Sequence, residues 1–341
     1  MRNPYLPCLL VFCLAACETT VEVDVPRYPA QLTVNALFNP DSVWQVELSK
    51  NRSILDTTQF ASVPDASVQI IHQGQVVTQL KYQRENHFGN SIYGASNIYP
   101  KRGSEYTLAV EHPALGSLKA SSRVPTSQAS IVSVVLDTSD VRILTEDIIA
   151  YGVTIVMDDP VEDNFYDLFF IIRWFLSSGS FQVGQDENGI KFEERLTYQQ
   201  IGSDDPVMDN SNRFDYYKIK ILFKDTRLNG GQYKIKVYLL VQRGRLLDGA
   251  LFNPPTVLDR VAHDVTNNII YQPRDTVDRF RLYTILRTTT KEYYDYFYTR
   301  DLQASVENNP FAQPVQVFDN IQGGLGVFAG YSQTEKEVTI K

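Results

Sequence analysis

The strongest constraint on this chain is a period of two in its apolar residues, recurring along most of its length. Leu32, Val34, Ala36 and Phe38 fall on one face of a run, and Trp44, Val46 and Leu48 follow beyond the turn Asn39-Pro40-Asp41-Ser42. Alternation of this kind predicts strands with one buried face, because successive strand side chains point to opposite sides. The pattern returns at Ala66, Val68 and Ile70 after Pro64-Asp65, and at Tyr106, Leu108 and Val110 after Lys101-Arg102-Gly103. Leu118 and Ala120 then lead to Val124-Pro125. Short strands separated by turn residues over about a hundred positions predict a β-sandwich.

Val124 to Ser130, with Pro125, Thr126, Ser127 and Gln128, reads as a joint to a larger unit with longer, more aromatic strands. Phe165 to Leu176 is apolar on both faces and so predicts a central strand. Tyr217, Ile219, Ile221 and Phe223 alternate, as do Tyr233, Ile235, Val237, Leu239 and Val241. With Asn229-Gly230-Gly231 between them, these two runs are expected to form a hairpin. Phe181 to Asn212 is polar and glycine-bearing and reads as a long excursion. One stretch breaks the β rule: after Thr288-Thr289-Thr290-Lys291-Glu292, apolar residues recur at helical spacing through Tyr294, Phe297 or Tyr298, Leu302 and Val306. A threonine cap followed by glutamate predicts a helix start. Its five aromatics between Tyr293 and Tyr298 fit packing against a sheet, with a ligand platform as the alternative.

The fold expected is therefore mainly β: an N-terminal sandwich over 31–125, then a larger β-rich domain over 126–341 with one amphipathic helix near the C-terminus. The order of strands in the first unit resembles immunoglobulin-like and carboxypeptidase-regulatory-like modules.

Ahead of these lies a different kind of segment. Arg2 precedes an apolar run from Tyr5 to Ala16, broken by Pro7, and Leu14-Ala15-Ala16-Cys17-Glu18 follows. A basic start, a short apolar run and small residues at the cut predict a secretory signal over 1–16. Cys17 directly after Leu-Ala-Ala resembles the lipobox of bacterial lipoproteins, in which the sulfur carries diacylglycerol and cleavage frees an amine that is acylated. Cys17 is thus the predicted lipidation site, against the alternative of an ordinary cut that leaves a free thiol. No later segment offers the ~20 apolar residues of a spanning helix.

Cys8 and Cys13 lie inside the signal, so Cys17 is the one cysteine of the mature chain and no intramolecular disulfide can form. Loss of the signal removes Arg2 and no acid, and leaves 31 basic residues against 40 acidic ones. Such a surface repels nucleic acid and anionic lipid heads. Membrane attachment is therefore assigned to the N-terminal acyl chains, of which two or more are needed for stable residence. Residues 17–30 form an acidic tether, Glu18 to Val25 closed by Pro26 and Pro29. It reads either as a solvated linker or as a segment resembling a surface-export signal of Bacteroidota lipoproteins.

A search for chemistry yields no catalytic, cofactor or metal assignment. His72, His87, His112 and His263 are scattered, without the second histidine one helical turn away that a zinc helix needs. Gly323-Gly324-Leu325-Gly326 lacks the lysine of a phosphate loop and suits a bulge or tight turn. Asp186-Glu187-Asn188-Gly189 resembles part of a calcium loop, but Gly184 and Arg195 stand where ligands belong. Arg243-Gly244-Arg245 and Leu246-Leu247-Asp248-Gly249 read as a strand end and a turn. The acidic pairs Asp158-Asp159, Glu162-Asp163 and Asp204-Asp205 lie near prolines in apparent loops, where acids cap turns. Two carboxylates facing one cleft would make a glycosidase.

Several segments, in their order along the chain, resemble the Bacteroidota lipoproteins grouped as domain of unknown function 4249. They are the lipobox with its acidic tether, "LTVNALFNPDSVWQVELS" (32–49), "DDPVEDNFYDL" (158–168), "LLDGALFN" (246–253), "EYYDYFYTRDLQ" (292–303) and "NPFAQPVQVFDNIQGGLGVFAGYS" (309–332). The resemblance implies an outer-membrane-anchored lipoprotein of the cell envelope, accessory to a TonB-dependent receptor or an assembly complex, with no enzymatic residue to transfer. The membrane through its acyl chains and an outer-membrane protein are then its expected partners, and nucleic acid is not. A carbohydrate-active surface hydrolase using the loop carboxylates and a structural envelope protein are the alternatives. Periplasmic and surface faces both stay open.

Overall fold

A computed structural model describes residues 29–52, 62–146, 148–176, 184–185, 191–208, 218–228, 230–242, 277–306 and 311–341. The signal, Cys17, the tether up to residue 28, Asp186-Glu187-Asn188-Gly189, His263 and the segment 243–253 lie outside them. The described chain is mainly β, with two sheets and, among these residues, a single helix near the C-terminus.

Seven strands build the first unit: β1 (Leu32–Phe38), β2 (Gln45–Lys50), β3 (Ser67–His72), β4 (Gln75–Glu85), β5 (Ser91–Gly94), β6 (Glu105–His112) and β7 (Gly116–Arg123). The second holds β8 (Ser130–Ile143), β9 (Ile148–Asp159), β10 (Phe165–Leu176), β11 (Gly184–Gln185), β12 (Lys191–Tyr198), β13 (Ile201–Gly202), β14 (Lys220–Lys224), β15 (Gly231–Gln242) and β16 (Val277–Thr289). The helix α1 (Lys291–Val306) and the strands β17 (Leu325–Glu337) and β18 (Thr339–Ile340) complete the chain.

One sheet of 13 strands runs β11-β12-β10-β16-β17-β1-β2-β5-β4-β3-β6-β7, with β14 also on β10. A second sheet of five runs β13-β15-β9-β8-β18. The long sheet rolls up over its β1 to β7 half. Lys119 of β7 exchanges two backbone hydrogen bonds of 2.9 and 2.8 Å with Gln322, just ahead of β17. The alternating residues Leu32, Val34, Phe38, Trp44, Val46, Val68, Ile70, Leu108 and Val110 fill this roll, together with Ile321 and Phe328 from the far end of the chain. The other half faces the five-stranded sheet across a second core, which draws on Tyr166, Leu168, Phe170, Ile221, Phe223, Ile235, Val237 and Leu286.

β17 joins the two halves. Residues 325–330 pair in parallel with β1, and residues 331–337 pair antiparallel with β16. Two glycines permit the close approach. A Cβ on Gly326, whose φ is +113°, would lie 1.9 Å from the carbonyl oxygen of Val34. A Cβ on Gly330 would lie 2.0 Å from that of Arg123. Gly323, at φ +84°, makes the preceding turn, so the glycine run serves backbone geometry as its composition suggests.

β10 is the central strand expected from its two apolar faces. β16 pairs along its whole length, while β14 and β12 share its other edge.

The fold departs from the sequence expectation at two places. The runs around Asn229-Gly230-Gly231 do not form a hairpin: β14 pairs with β10, and β15 pairs with β9 in the other sheet. Their alternation is real, but Ile221 and Phe223 face Ile235 and Val237 across one core. The glycines, at φ +77° and +113°, carry the chain from one sheet to the other. Phe181 to Asn212, read as an excursion, contains β12, which extends the long sheet beside β10, and β13 beside β15.

The helix begins where the threonines predict. Thr290 accepts the backbone N–H of Tyr294 at 3.1 Å on its carbonyl as the first bond of the helix and that of Tyr293 at 3.5 Å on its hydroxyl, which satisfies an amide the first turn would otherwise leave bare. Tyr293, Tyr294 and Phe297 are buried against Leu222, Val327 and Ala329. The aromatic stripe packs on the outer face of the long sheet. No helix among the described residues is long and apolar enough to cross a membrane.

Candidate functional site

The densest chemistry among the described residues lies beneath α1. Strand alternation sends Tyr166, Leu168 and Phe170 into the sandwich core, so Asp167 between them points to the outer face, where it is fully buried. Register places Arg287 of β16 directly opposite Asp167, and Lys220 of β14 opposite Phe169, one pleat further on the same face. The helix lowers Tyr293 into the gap. Its hydroxyl donates to Asp167 Oδ2 at 2.5 Å and accepts from Arg287 at 3.0 Å. Lys220 Nζ stands 3.5 Å from the same oxygen, and the Arg287 guanidinium 4.0 Å. Arg287 also donates from Nε to Gln333 Oε1 at 3.2 Å.

Aromatic rings take the place of water around the cations. Lys220 Nζ sits 3.4 Å from the Phe297 ring centre, and Arg300 lies 4.6 Å from the same ring. The Arg287 guanidinium lies 4.8 Å from the ring of Phe169 and 4.4 Å from that of Tyr331. Loss of water pulls the Lys220 ammonium below its ordinary value, against the opposing pull of Asp167. Burial, with Asp167 beside it, drives the Tyr293 phenol well above its own. Two cations and one carboxylate leave the cluster with one positive charge in excess, and Asp167 Oδ1 is buried without a hydrogen bond. Desolvated charges of this kind stabilise little on net, but loss of one partner is costly. Tyr293 donates to Asp167 Oδ2 and the cations of β14 and β16 face the same oxygen, so the group ties α1 to the sheet as a latch.

The next residue back serves the opposite face. The Tyr166 hydroxyl donates a short hydrogen bond to Asp159 Oδ1, and the backbone N–H of Gly230 donates to Asp159 Oδ2 at 2.9 Å. Burial, reinforced by Asp159, raises the Tyr166 phenol far above its usual range. Asn164 Nδ2 donates to the Glu162 carbonyl at 2.5 Å, and its own carbonyl accepts the Asp225 N–H at 3.0 Å. The stretch 158–168 thus fixes the β9–β10 turn and then seats the helix.

Asp158-Asp159 and Asp204-Asp205 do not meet. Asp158 accepts from Gln232 at 3.1 Å and from Ser130 at 3.4 Å. Asp204 pairs with Arg142 at 2.8 Å, and Asp205 accepts the Val207 and Lys236 amides at 3.0 and 2.9 Å. Gln232 and Lys236 are four residues apart on β15, so the two pairs are separated by roughly 13 Å along the strand at about 3.3 Å per residue. Glu162 and Asp163 stay in the exposed β9–β10 turn. His72 Nδ1 hydrogen-bonds the Glu105 carbonyl at 2.8 Å. His112 Nδ1 accepts the Ala114 and Leu115 amides, both at 3.1 Å, while its Nε2 meets Asp65 at 3.0 Å. The His112 ring organises the β6–β7 turn, and His72 ties the end of β3 to the start of β6. Among the described residues no three His, Cys, Asp or Glu side chains are grouped to hold a metal ion.

Asp167 escapes a reading by motif because it is a lone acid in an apolar run. The available signal is that both faces of that run are buried, so a charge inside it demands counter-charges on the neighbouring strands.

A rolled, glycine-joined β body carrying one clamped helix is the class the fold defines. The family model described as Domain of unknown function (DUF4249) matches residues 18–337, and the chain belongs to that family. No curated protein matches it.

Proposed function

We propose that the protein is a lipid-anchored lipoprotein of the outer membrane, acylated at Cys17, that acts without catalysis as a binding or assembly partner of an outer-membrane β-barrel such as a TonB-dependent receptor. The observation that carries the non-catalytic part is the employment of the acids. Asp158, Asp159, Asp204 and Asp205 each hold a strand end or turn in place, and the two pairs stand roughly 13 Å apart along β15. That is wider than the ~10 Å a pair of glycosidase carboxylates spans. The cysteine after Leu14-Ala15-Ala16 and the family membership support the anchor. The tyrosine-rich composition, 20 residues in all, suits an interface, since tyrosine offers apolar area with a polar tip.

Crosslinking in intact cells, followed by gentle detergent extraction and identification of what is attached, tests the reading. A barrel recovered with the chain is the expected result. A monodisperse monomer from the same extraction would overturn the partner. Replacement Cys17→Ser should release soluble protein or leave the precursor uncleaved, and a processed chain still held in the membrane would refute the anchor.

A further inference from the structure

The first sandwich has two ends, and the point at which the tether reaches it tells them apart. Asn51 closes β2 onto the start of the chain: it donates from its side chain to the Pro29 carbonyl at 3.4 Å, accepts the Gln31 amide on its side chain at 2.7 Å and donates its own amide to Gln31 at 3.0 Å. Leu48 lies opposite Ser91, so the 86–90 turn that leads into β5 leaves the sheet at the same end at which β2 runs on to Asn51. At ~4.8 Å between strands, β5 ends at the side of the tether's attachment, on the order of 10 Å across the sheet from β1.

The turn that carries Phe88 is built rather than slack. The Asn86 side-chain oxygen accepts the amides of Phe88 and Asn90, both at 3.0 Å. Its backbone N–H donates to Asn90 at 2.8 Å, and its carbonyl accepts from Gly89 at 3.0 Å. Both asparagine amides then bind Glu47 Oε1, at 2.8 and 2.5 Å. The asparagines of the turn bind within it and to β2, and Phe88 beside them, its ring 5.0 Å from that of His87, is 48% exposed.

We infer that this end of the sandwich docks on a lipid bilayer, with Phe88 seated in the interfacial region beside the anchor. The inference rests on the lipid-anchor reading above. Eleven residues lie between Cys17 and Pro29, and a chain of that length reaches at most roughly 40 Å. The body is therefore kept within reach of the surface by its Phe88 end. The net negative charge of the chain gives no long-range attraction to anionic heads, and an exposed phenyl ring offers an apolar contact instead. One ring cannot hold a protein on a bilayer, but next to acyl chains it decides which end faces lipid.

The test uses the acylated mature chain in phosphatidylcholine vesicles, with and without brominated acyl chains that quench tryptophan on contact. Phe88→Trp is compared with Tyr99→Trp and with the unaltered chain, whose own tryptophans give the background. Tyr99 is 49% exposed and lies in the loop after β5, at the opposite end of the same sandwich. Flotation of the chain with the vesicles is measured first. Loss of Phe88→Trp emission in brominated vesicles, with Tyr99→Trp emission unchanged, is expected. A chain that floats while neither site is quenched stands off the bilayer, and quenching at Tyr99→Trp places the wrong end down; either result overturns the docking and spares the anchor. A chain that does not float overturns the anchor and the docking with it.

Discussion

Asp159 and Asp167 are both buried carboxylates, set at the two ends of one turn and strand, yet they are held by opposite means. Asp159 takes a phenol and a backbone N–H, both neutral. Asp167 takes a phenol together with an ammonium and a guanidinium. Tyr166 and Tyr293 play matching parts, one on each face of β10. A carboxylate with neutral donors fixes a turn locally and leaves no charge behind when removed. Where cations from β14 and β16 converge, the carboxylate balances charges drawn from distant parts of the chain, and its loss is felt wherever they come from.

Asp167→Ala separates the two carboxylates most directly. It strands Lys220 and Arg287 as uncompensated buried cations, and should cost roughly 3–5 kcal/mol of unfolding free energy in urea titration. A loss under about 1 kcal/mol would mean that water reaches the cluster and that the two acids are alike. Asp159→Ala leaves the Tyr166 hydroxyl and the Gly230 amide without an acceptor, and roughly 1–3 kcal/mol is expected by the same titration. If it equals or exceeds the loss at Asp167, the cations contribute nothing special.

Alkaline titration sharpens the contrast between ammonium and phenol. Both phenols are raised above their ordinary 10.0, so the unfolded chain gives up those protons first. Their stabilisation is full below about pH 10 and is lost as the pH climbs above it. Lys220 is lowered from 10.5, so between its folded value and 10.5 the unfolded chain holds more protons and stability rises with pH. A stability maximum near the top of that window is expected, with tyrosinate absorbance at these two rings appearing only together with unfolding. Absorbance from both rings before the fold is lost would show that they are wet. The smallest effect is reserved for Thr290→Ala, which removes the helix cap but not the latch and should cost about 1 kcal/mol. A helix that melts on this change alone would mean the latch does not hold it.

Much of the fold was legible because alternation reports directly on one buried face, as at Leu32 to Phe38 and at the two-faced run around Phe170. Alternation does not name the partner, and so β14 and β15 looked like neighbours when they are opposite walls of one core. β12 is hidden in the sequence because Lys191, Glu193, Glu194 and Arg195 dilute its apolar residues. At the latch, Lys220 and Arg287 sit on ordinary-looking strands, and only the pairing register brings them to Asp167. The helix start at Thr290 was legible because capping is local chemistry.

β17 has a temporal consequence. Its first half closes the sheet beside β1, about 290 residues earlier in the chain, and its second half completes the wall of the other core. Contacts so distant in sequence form slowly, because the intervening loop must close before they repay it. A chain delivered from its N-terminus would wait for these residues with both cores unfinished and strand edges open, a state that favours aggregation. Such a protein reaches its stable form late and nearly all at once, and until then depends on whatever shields its edges.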